Sequence, residues 1–348
     1  MARLSFANDY STGAHPEVLR ALCETNAEAL DCYGTDVYCD RAKEKIRRAC
    51  SAPDAVVEFL TGGTQTNAVV LSALLAGHEG AVAVDTGHIA VHEAGAIEYT
   101  GHKVLTLPHH AGKMDASELD AYVTAYYNDA NYTHMVFPGA VYLSHPTEFG
   151  TLYTLRELEE ISSVCKKHGM RLYVDGARLA YGLTAPGTDV TLADLARLCD
   201  AFTIGGTKVG CLCGEAVVFQ KAAYPRHFIT HVKQHGAMLA KGRIVGVQYD
   251  ALFTDELYLR IGRHVNGMAL RLRKALEDAG LPFHLQSPTN QQFVVLDNAR
   301  MEALREHVSF SFWEVTDKDH TVVRFCTAWS TTPEDVDALS ALLRSAAN

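Results

Sequence analysis

Four short stretches hold residue types that can do chemistry together: LTGGTQTN (60–67), DTGHIAVHEAG (85–95), YVDGAR (173–178) and TIGGTK (203–208). The last ends an apolar run with Gly205, Gly206 and Thr207 and then a lone lysine, Lys208, which its neighbours leave almost without steric cover. YVDGAR sets Asp175 at the end of another apolar run, where a carboxylate is costly to bury unless it meets a cation. Arg178 is one candidate for that cation, and a plain ion pair between the two is the simplest account. Lys208 changes the weighing. It lies about one strand–helix–strand unit beyond Asp175, so the two can stand side by side on neighbouring strands.

In LTGGTQTN a glycine-rich turn opens directly into a helix, whose exposed amides and positive dipole end can seat a phosphate. A tight turn with Thr64 as helix cap explains the same residues. Neither G-x-G-x-x-G nor G-x-x-x-x-G-K-[ST] occurs, which removes the dinucleotide fingerprint and the Walker loop. One cofactor uses the whole set. Pyridoxal phosphate needs a lysine to bond its aldehyde, an acid to keep its ring nitrogen protonated, an anion seat and a flat partner for its ring. The bare Gly-Gly-Thr turn then gives Lys208 access to the aldehyde and lets the ring approach the backbone. His88, flanked by Gly87, is the candidate ring partner, or else a satisfied polar residue.

These stretches must be positioned by the elements around them. AVVEFL (55–60), AVAVD (81–85), KVLTL (103–107), MVFPGAVYLS (135–144), RLYVD (171–175) and AFTIG (201–205) read as strands. Helical segments alternate with them at 64–75, 89–98, 116–127 and from 155 to Gly169. Asp115 with Glu118, and Thr154 with Glu157, have the spacing of capping boxes. Strands this apolar, with no polar alternation, are buried on both faces as in a parallel sheet covered by helices. Ligands of such sheets gather at the carboxyl ends of the strands, where all four stretches fall. From about residue 255 a long helical segment leads into strands that alternate more with polar residues, and into a final helix capped at Thr332. The fold class is α/β: a large domain over 1–250 with a mostly parallel sheet, and a smaller C-terminal α+β domain over 251–348.

Composition bounds the rest. The 348 residues are 48% hydrophobic and 21% charged, with net charge −10 and no basic stripe, which argues against nucleic acid as partner. No apolar run approaches a membrane span, and MARLSFANDYSTGAHP lacks the layout of a signal peptide. Nine cysteines stand singly, an odd number that fits free thiols in a reducing cytoplasm. Cys211 and Cys213 have no second pair, and the histidines form no metal-binding cluster, so no metal is expected.

GGTQTN, DTGHxxxHEAG, YVDGAR and the lysine after TIGGT together resemble the L-threonine aldolase branch of the fold-type I pyridoxal-phosphate enzymes. NDYSTGAHP, YGTDVYCDRAK (33–43) and VVRFCTAW extend the resemblance over essentially the whole chain. It implies Lys208 as the Schiff-base lysine and Asp175 as partner of the ring nitrogen. It implies Gly63 and Thr64 at the phosphate, Thr207 beside the lysine at the cofactor, and His88 stacked on the ring. Arg178 and Arg324 would receive the amino acid's carboxylate, helped by Asn8 where many relatives carry serine. One departure stands out: where better-known relatives carry Thr-His-Asn-Gly beside the substrate hydroxyl, HPTEFG (145–150) puts Glu148 there, with His145 nearby but out of register. Glu148, His88 or a water then takes the β-hydroxyl proton, unless Glu148 only holds a loop.

The reaction implied is cleavage of L-threonine, L-allo-threonine or a related β-hydroxy-α-amino acid to glycine and an aldehyde. A β-eliminating lyase on the same cofactor is the alternative, and a transaminase fits less well. From another class, the chain could be a nucleotide- or sugar-binding α/β protein with Lys208 a mere surface cation. The resemblance also implies a homodimer or tetramer with shared active sites, Lys241 or Arg243 reaching a neighbour's phosphate.

Overall fold

A computed structural model describes residues 3–345. The apolar segments of the first two thirds assemble into one seven-stranded sheet. Its strands are β1 Val56–Leu60, β2 Glu79–Val84, β3 Val104–Leu107, β4 Phe137–Ser144, β5 Arg171–Asp175, β6 Ala201–Gly205 and β7 Glu215–Phe219. Their spatial order is β1-β7-β6-β5-β4-β2-β3. Only β7 runs against the others, lying antiparallel between β1 and β6. The sheet is buried on both sides, as its unbroken apolar runs require. On β4, Val141 and Leu143 join one core while Ala140 and Tyr142 join the other. Each fully buried aliphatic side chain contributes roughly 1.5–3 kcal/mol, so the two faces hold the strand ends in fixed positions.

Local signals set most helix ends. Thr154 and Glu157 make a reciprocal box at the start of the Leu155–His168 helix, and Gly169, at φ 69°, ends it in the left-handed region. Asp115 caps the Ala116–Asn128 helix through the amides of Ser117 and Glu118. The box there is only half formed, because the Glu118 carboxylate turns instead to His110 at 2.9 Å.

The expected helix over 89–98 is two single turns, His88–Val91 and Ala96–Tyr99. Ala94 and Gly95 between them both have positive φ, 51° and 74°, which no continuous helix accommodates. Strand β7 has no counterpart among the sequence-derived strands; it opens on a charged residue, Glu215, straight after the loop over 210–214.

The chain then enters the Leu257–Asp278 helix, whose first turns pack on the main core through Ile261 and Val265. Its later residues, Leu272 and Leu276, join a separate core with Phe6, Val294 and Leu339. Around that core lies a four-stranded antiparallel sheet made of Phe283–Leu285, Gln291–Asp297, Ser311–Val315 and His320–Cys326. The opening residues belong here too. Leu4–Ser5 pairs in parallel with Val308–Ser309, and the Phe6 carbonyl accepts the Cys326 amide at 2.8 Å. Among the described residues no helix is long and apolar enough to cross a membrane.

Candidate functional site

Five strands of the large sheet deliver residues to one cleft of about 400 Å³ at their carboxyl ends. Gly63 follows β1, His88 follows β2, Glu148 follows β4, Asp175 ends β5 and Lys208 follows β6. Their side chains come from turns just beyond strands buried on both faces, so the rigid part of the molecule sets their spacing.

Asp175 is held as an acceptor from three sides. Its Oδ2 accepts from Asn67 Nδ2 at 2.9 Å and from the Tyr142 hydroxyl at 2.8 Å, and Oδ1 accepts the Ala177 amide at 2.8 Å. The Tyr142 phenol is pushed well above its usual range by burial and then by the Asp175 charge, so it stays a donor. The same Asn67 amide also donates to Glu93 Oε1 at 2.7 Å, while the Tyr173 hydroxyl donates to Asn67 Oδ1 at 2.7 Å and fixes which way the amide points. Glu93 in turn bonds His88 Nδ1 at 2.7 Å. A single asparagine thus orients both the acid and the imidazole. The left-handed turn at Ala94 and Gly95 is what brings Glu93 back beneath His88.

Lys208 makes no hydrogen bond through its side chain among the described residues. Burial first, and then the Arg178 charge, lower its ammonium below the ordinary lysine range, which favours the neutral, nucleophilic amine. Gly205 and Gly206 serve packing more than access. A Cβ on Gly205 would lie 2.4 Å from the Ala177 carbonyl oxygen, and one on Gly206 would lie 2.7 Å from the Tyr249 hydroxyl. The turn at Gly62 and Gly63 is the open one, since a Cβ at either meets nothing within 4 Å. The Gly63–Leu74 helix begins there with no side-chain cap, and Thr64 is exposed rather than capping. Its free amides form an anion seat. Thr207 Oγ1 accepts the Gly214 amide at 3.2 Å.

Arg178 does not pair with Asp175. Its Nε and Nη2 clamp Asp9 at 2.7 and 3.0 Å, and Asn290 Nδ2 donates to the same carboxylate at 3.0 Å. Burial opposes the Asp9 charge, but Arg178 and then Lys208 outweigh it and hold the carboxyl below its usual range. Arg324 gives Nη1 to Gln291 at 2.9 Å, and its buried Nε has no partner. Asn8 lies apart from the cleft, its Oδ1 accepting from the Tyr10 amide and the Ser11 hydroxyl. Arg243 donates to backbone carbonyls of Thr25 and Glu28, while Lys241 is exposed.

Glu148 lines the cleft. Ser144 Oγ donates to its Oε1 at 2.6 Å and the His88 amide does so at 3.0 Å, while buried Oε2 has no partner. Burial raises its carboxyl above the ordinary range. His145 is fully buried outside the cleft, its ring tilted against Tyr153 with both nitrogens unpartnered. Burial pushes its imidazole down to about 4.

Because protonation of His145 is disfavoured in the folded chain, its contribution is complete above the unfolded value near 6.5 and fades as pH falls toward 4. The loss amounts to about 3 kcal/mol. His145→Leu is expected to remove that part of the acid sensitivity, seen as a smaller drop in denaturant-measured stability between pH 7 and pH 4.5. Equal drops in the two proteins would contradict it.

Several of these residues carried no sequence signal of their role. Asn67 and Glu93 are among them, as are Asp9, Tyr142 and Ser144. Glu215, the first residue of β7, is buried near Lys208. Burial drives its carboxyl up to about 8 against the opposing pull of the Thr207 hydroxyl and Lys208.

The family model described as beta-eliminating lyase matches residues 5–299. A low specificity L-threonine aldolase from Pseudomonas aeruginosa is 29% identical over 97% of this chain and 96% of that protein. A solved threonine aldolase from Leishmania major is 40% identical, covers 99% of each chain and superposes with a TM-score of 0.95. A putative histidinol-phosphate aminotransferase from Erwinia carotovora shares the fold at 15% identity, with a TM-score of 0.74 over 99% of this chain and 95% of that one. The chain belongs to the beta-eliminating lyase family, in its threonine aldolase branch.

Proposed function

We propose that this family member is a pyridoxal-phosphate-dependent aldolase, cleaving L-threonine, L-allo-threonine or a related β-hydroxy-α-amino acid to glycine and an aldehyde. One observation carries the reading: Lys208 and the three-donor carboxylate of Asp175 line one cleft beside the uncapped helix end at Gly63. The donor set fits the cofactor, since an unbonded amine, a fixed anion and an open amide nest answer its aldehyde, ring nitrogen and phosphate. Gly63, Thr64 and Thr207 serve the phosphate end, His88 the ring face, and Asp175 the nitrogen. When bound, the cofactor supplies an electron-accepting ring for the pair released as the Cα–Cβ bond breaks.

The chain's own residues do the rest. Lys208 presents the amine. Arg324, through its unpartnered Nε, and Arg178 anchor the substrate carboxylate, with Asp9 fixing the Arg178 fork. Asn8 is the weaker member of that set, because its carbonyl is already engaged. Glu148 Oε2 takes the β-hydroxyl proton, its other oxygen being occupied by Ser144 and the His88 amide. Since the ionised form is the base, activity falls as pH drops through the raised value of Glu148, above the usual carboxylate range.

A panel of β-hydroxy amino acids with product analysis tests the reading. Glycine plus an aldehyde is the expected outcome; ammonia plus a keto acid would assign the chain to β-elimination instead. The division at about residue 250 into a cofactor-binding part and a small C-terminal part belongs to the same proposal, as does a homodimer or tetramer. Exposed Tyr10, Tyr33, Val91 and Leu212 support shared surfaces. Nine free cysteines support a cytoplasmic setting.

A further inference from the structure

Glu215 is a buried acid that none of the steps above uses. It opens β7, opposite Gly205 on one side and Leu60 on the other. The two segments that follow those partners are the Lys208 turn and the Gly62–Gly63 anion seat. Glu215 shares its strand face with Val217 and Phe219, which pack in the core beneath the Gly63–Leu74 helix. It is 3% exposed, and its Oε2 has no hydrogen-bond partner.

A carboxylate in such a place needs a compensating cation or must stay protonated. The charged and titratable groups that act on it or feel it can be named by element. Asp175 and Tyr173 face it from β5, Tyr249 and Tyr258 from the helices beyond the Lys208 turn, and Cys211 and Cys213 from the loop leading to β7. All of these are acids. Thr207 and the Gly206 amide offer hydrogen bonds, and the single cation in the set is Lys208. No ion pair within 4 Å joins the two among the described residues, so Lys208 is held near the acid without being locked to it. That arrangement suits an amine that has to change partners.

We propose that Glu215 is the positioning counter-charge of Lys208: its carboxylate stabilises the charged nitrogen of the lysine and so raises the pH at which that nitrogen gives up its proton. The inference rests on Lys208 as the cofactor lysine. Burial and the two flanking turns give Glu215 this role, whereas a solvent-facing glutamate at a strand end would be screened and indifferent.

The test is a spectrophotometric pH titration of the cofactor absorbance band in the holoenzyme. Removing the negative charge destabilises the protonated lysine nitrogen, so Glu215→Gln is expected to lower the midpoint by about one pH unit, with Glu215→Asp restoring part of the shift. Thermal unfolding checks that both variants are folded. A Glu215→Gln midpoint within about 0.2 units of the parent in a folded protein overturns the proposal. If the parent binds no cofactor, the functional reading fails separately. The pair is then read from the pH dependence of Lys208 modification by an amine-selective reagent in the parent and in Glu215→Gln, with the same downward shift expected and an unchanged profile overturning it.

Discussion

Lys208→Ala is expected to give a folded protein with no cofactor absorbance band and with turnover of β-hydroxy amino acids below about one thousandth of the parent. The argument is local. Among the described residues Lys208 is the only amine lining the cleft, and no side-chain hydrogen bond ties it elsewhere. Folding should not suffer much, because the buried ammonium already sits against desolvation and the Arg178 charge. Its loss does withdraw a favourable cation from Asp9, Asp175 and Glu215, so a modest change in melting temperature is expected in either direction. Absorbance after adding pyridoxal phosphate, together with a glycine-release assay, checks both halves. An active, yellow variant would remove the central assignment.

Asp175→Asn should cost nearly as much for a different reason. All three groups that meet the carboxylate are donors: Asn67 Nδ2, the Tyr142 hydroxyl and the Ala177 amide. An amide has one acceptor oxygen and one NH2 group, so in either orientation a donor faces a donor. Turning the NH2 toward Ala177 leaves that backbone amide unsatisfied; the opposite choice strands the Asn67 N–H and forces the Tyr142 hydroxyl to reverse and accept, donating to Ser144 instead. Each orphaned group costs about 1–3 kcal/mol, and the charge opposite the ring nitrogen is gone. A kcat fall of about 10²–10³-fold is expected at saturating cofactor. Steady-state kinetics after full cofactor loading tests it, and a decline under tenfold would show that another group holds the nitrogen's proton.

The two variants differ in how visible their logic was beforehand. Lys208 and Asp175 stood out because each ends an apolar strand with a charge, an arrangement too costly to be incidental. Their three-donor and no-donor surroundings did not stand out. Asn67 reaches Asp175 across 108 residues of chain and Asp9 reaches Arg178 across 169, so no local spacing points to either contact. Proximity in sequence even favoured the wrong partner, since Arg178 lies three residues from Asp175 yet turns to Asp9. Both glycines of TIGGTK admit close neighbours, the Ala177 carbonyl and the Tyr249 hydroxyl, which no local spacing foretells, while the open space lies at Gly62 and Gly63. Glu148 was legible as a departure from a familiar motif, and its role as a buried acid with one idle oxygen came only from Ser144 and the His88 amide closing on the other.

Alone, the sequence determined all but one of the strands of the large sheet, where most helices begin and end, and the charges of Asp175 and Lys208 at strand ends. These follow from side-chain chemistry and periodicity, which act over a few residues. Only the tertiary structure decided the partners: β7 turned against its neighbours with Glu215 opposite Gly205, Glu93 bonded back to His88, and Asp9 pinned to Arg178. Strand order and chain crossings set those meetings, and their energies belong to pairs of groups that the linear chain keeps far apart.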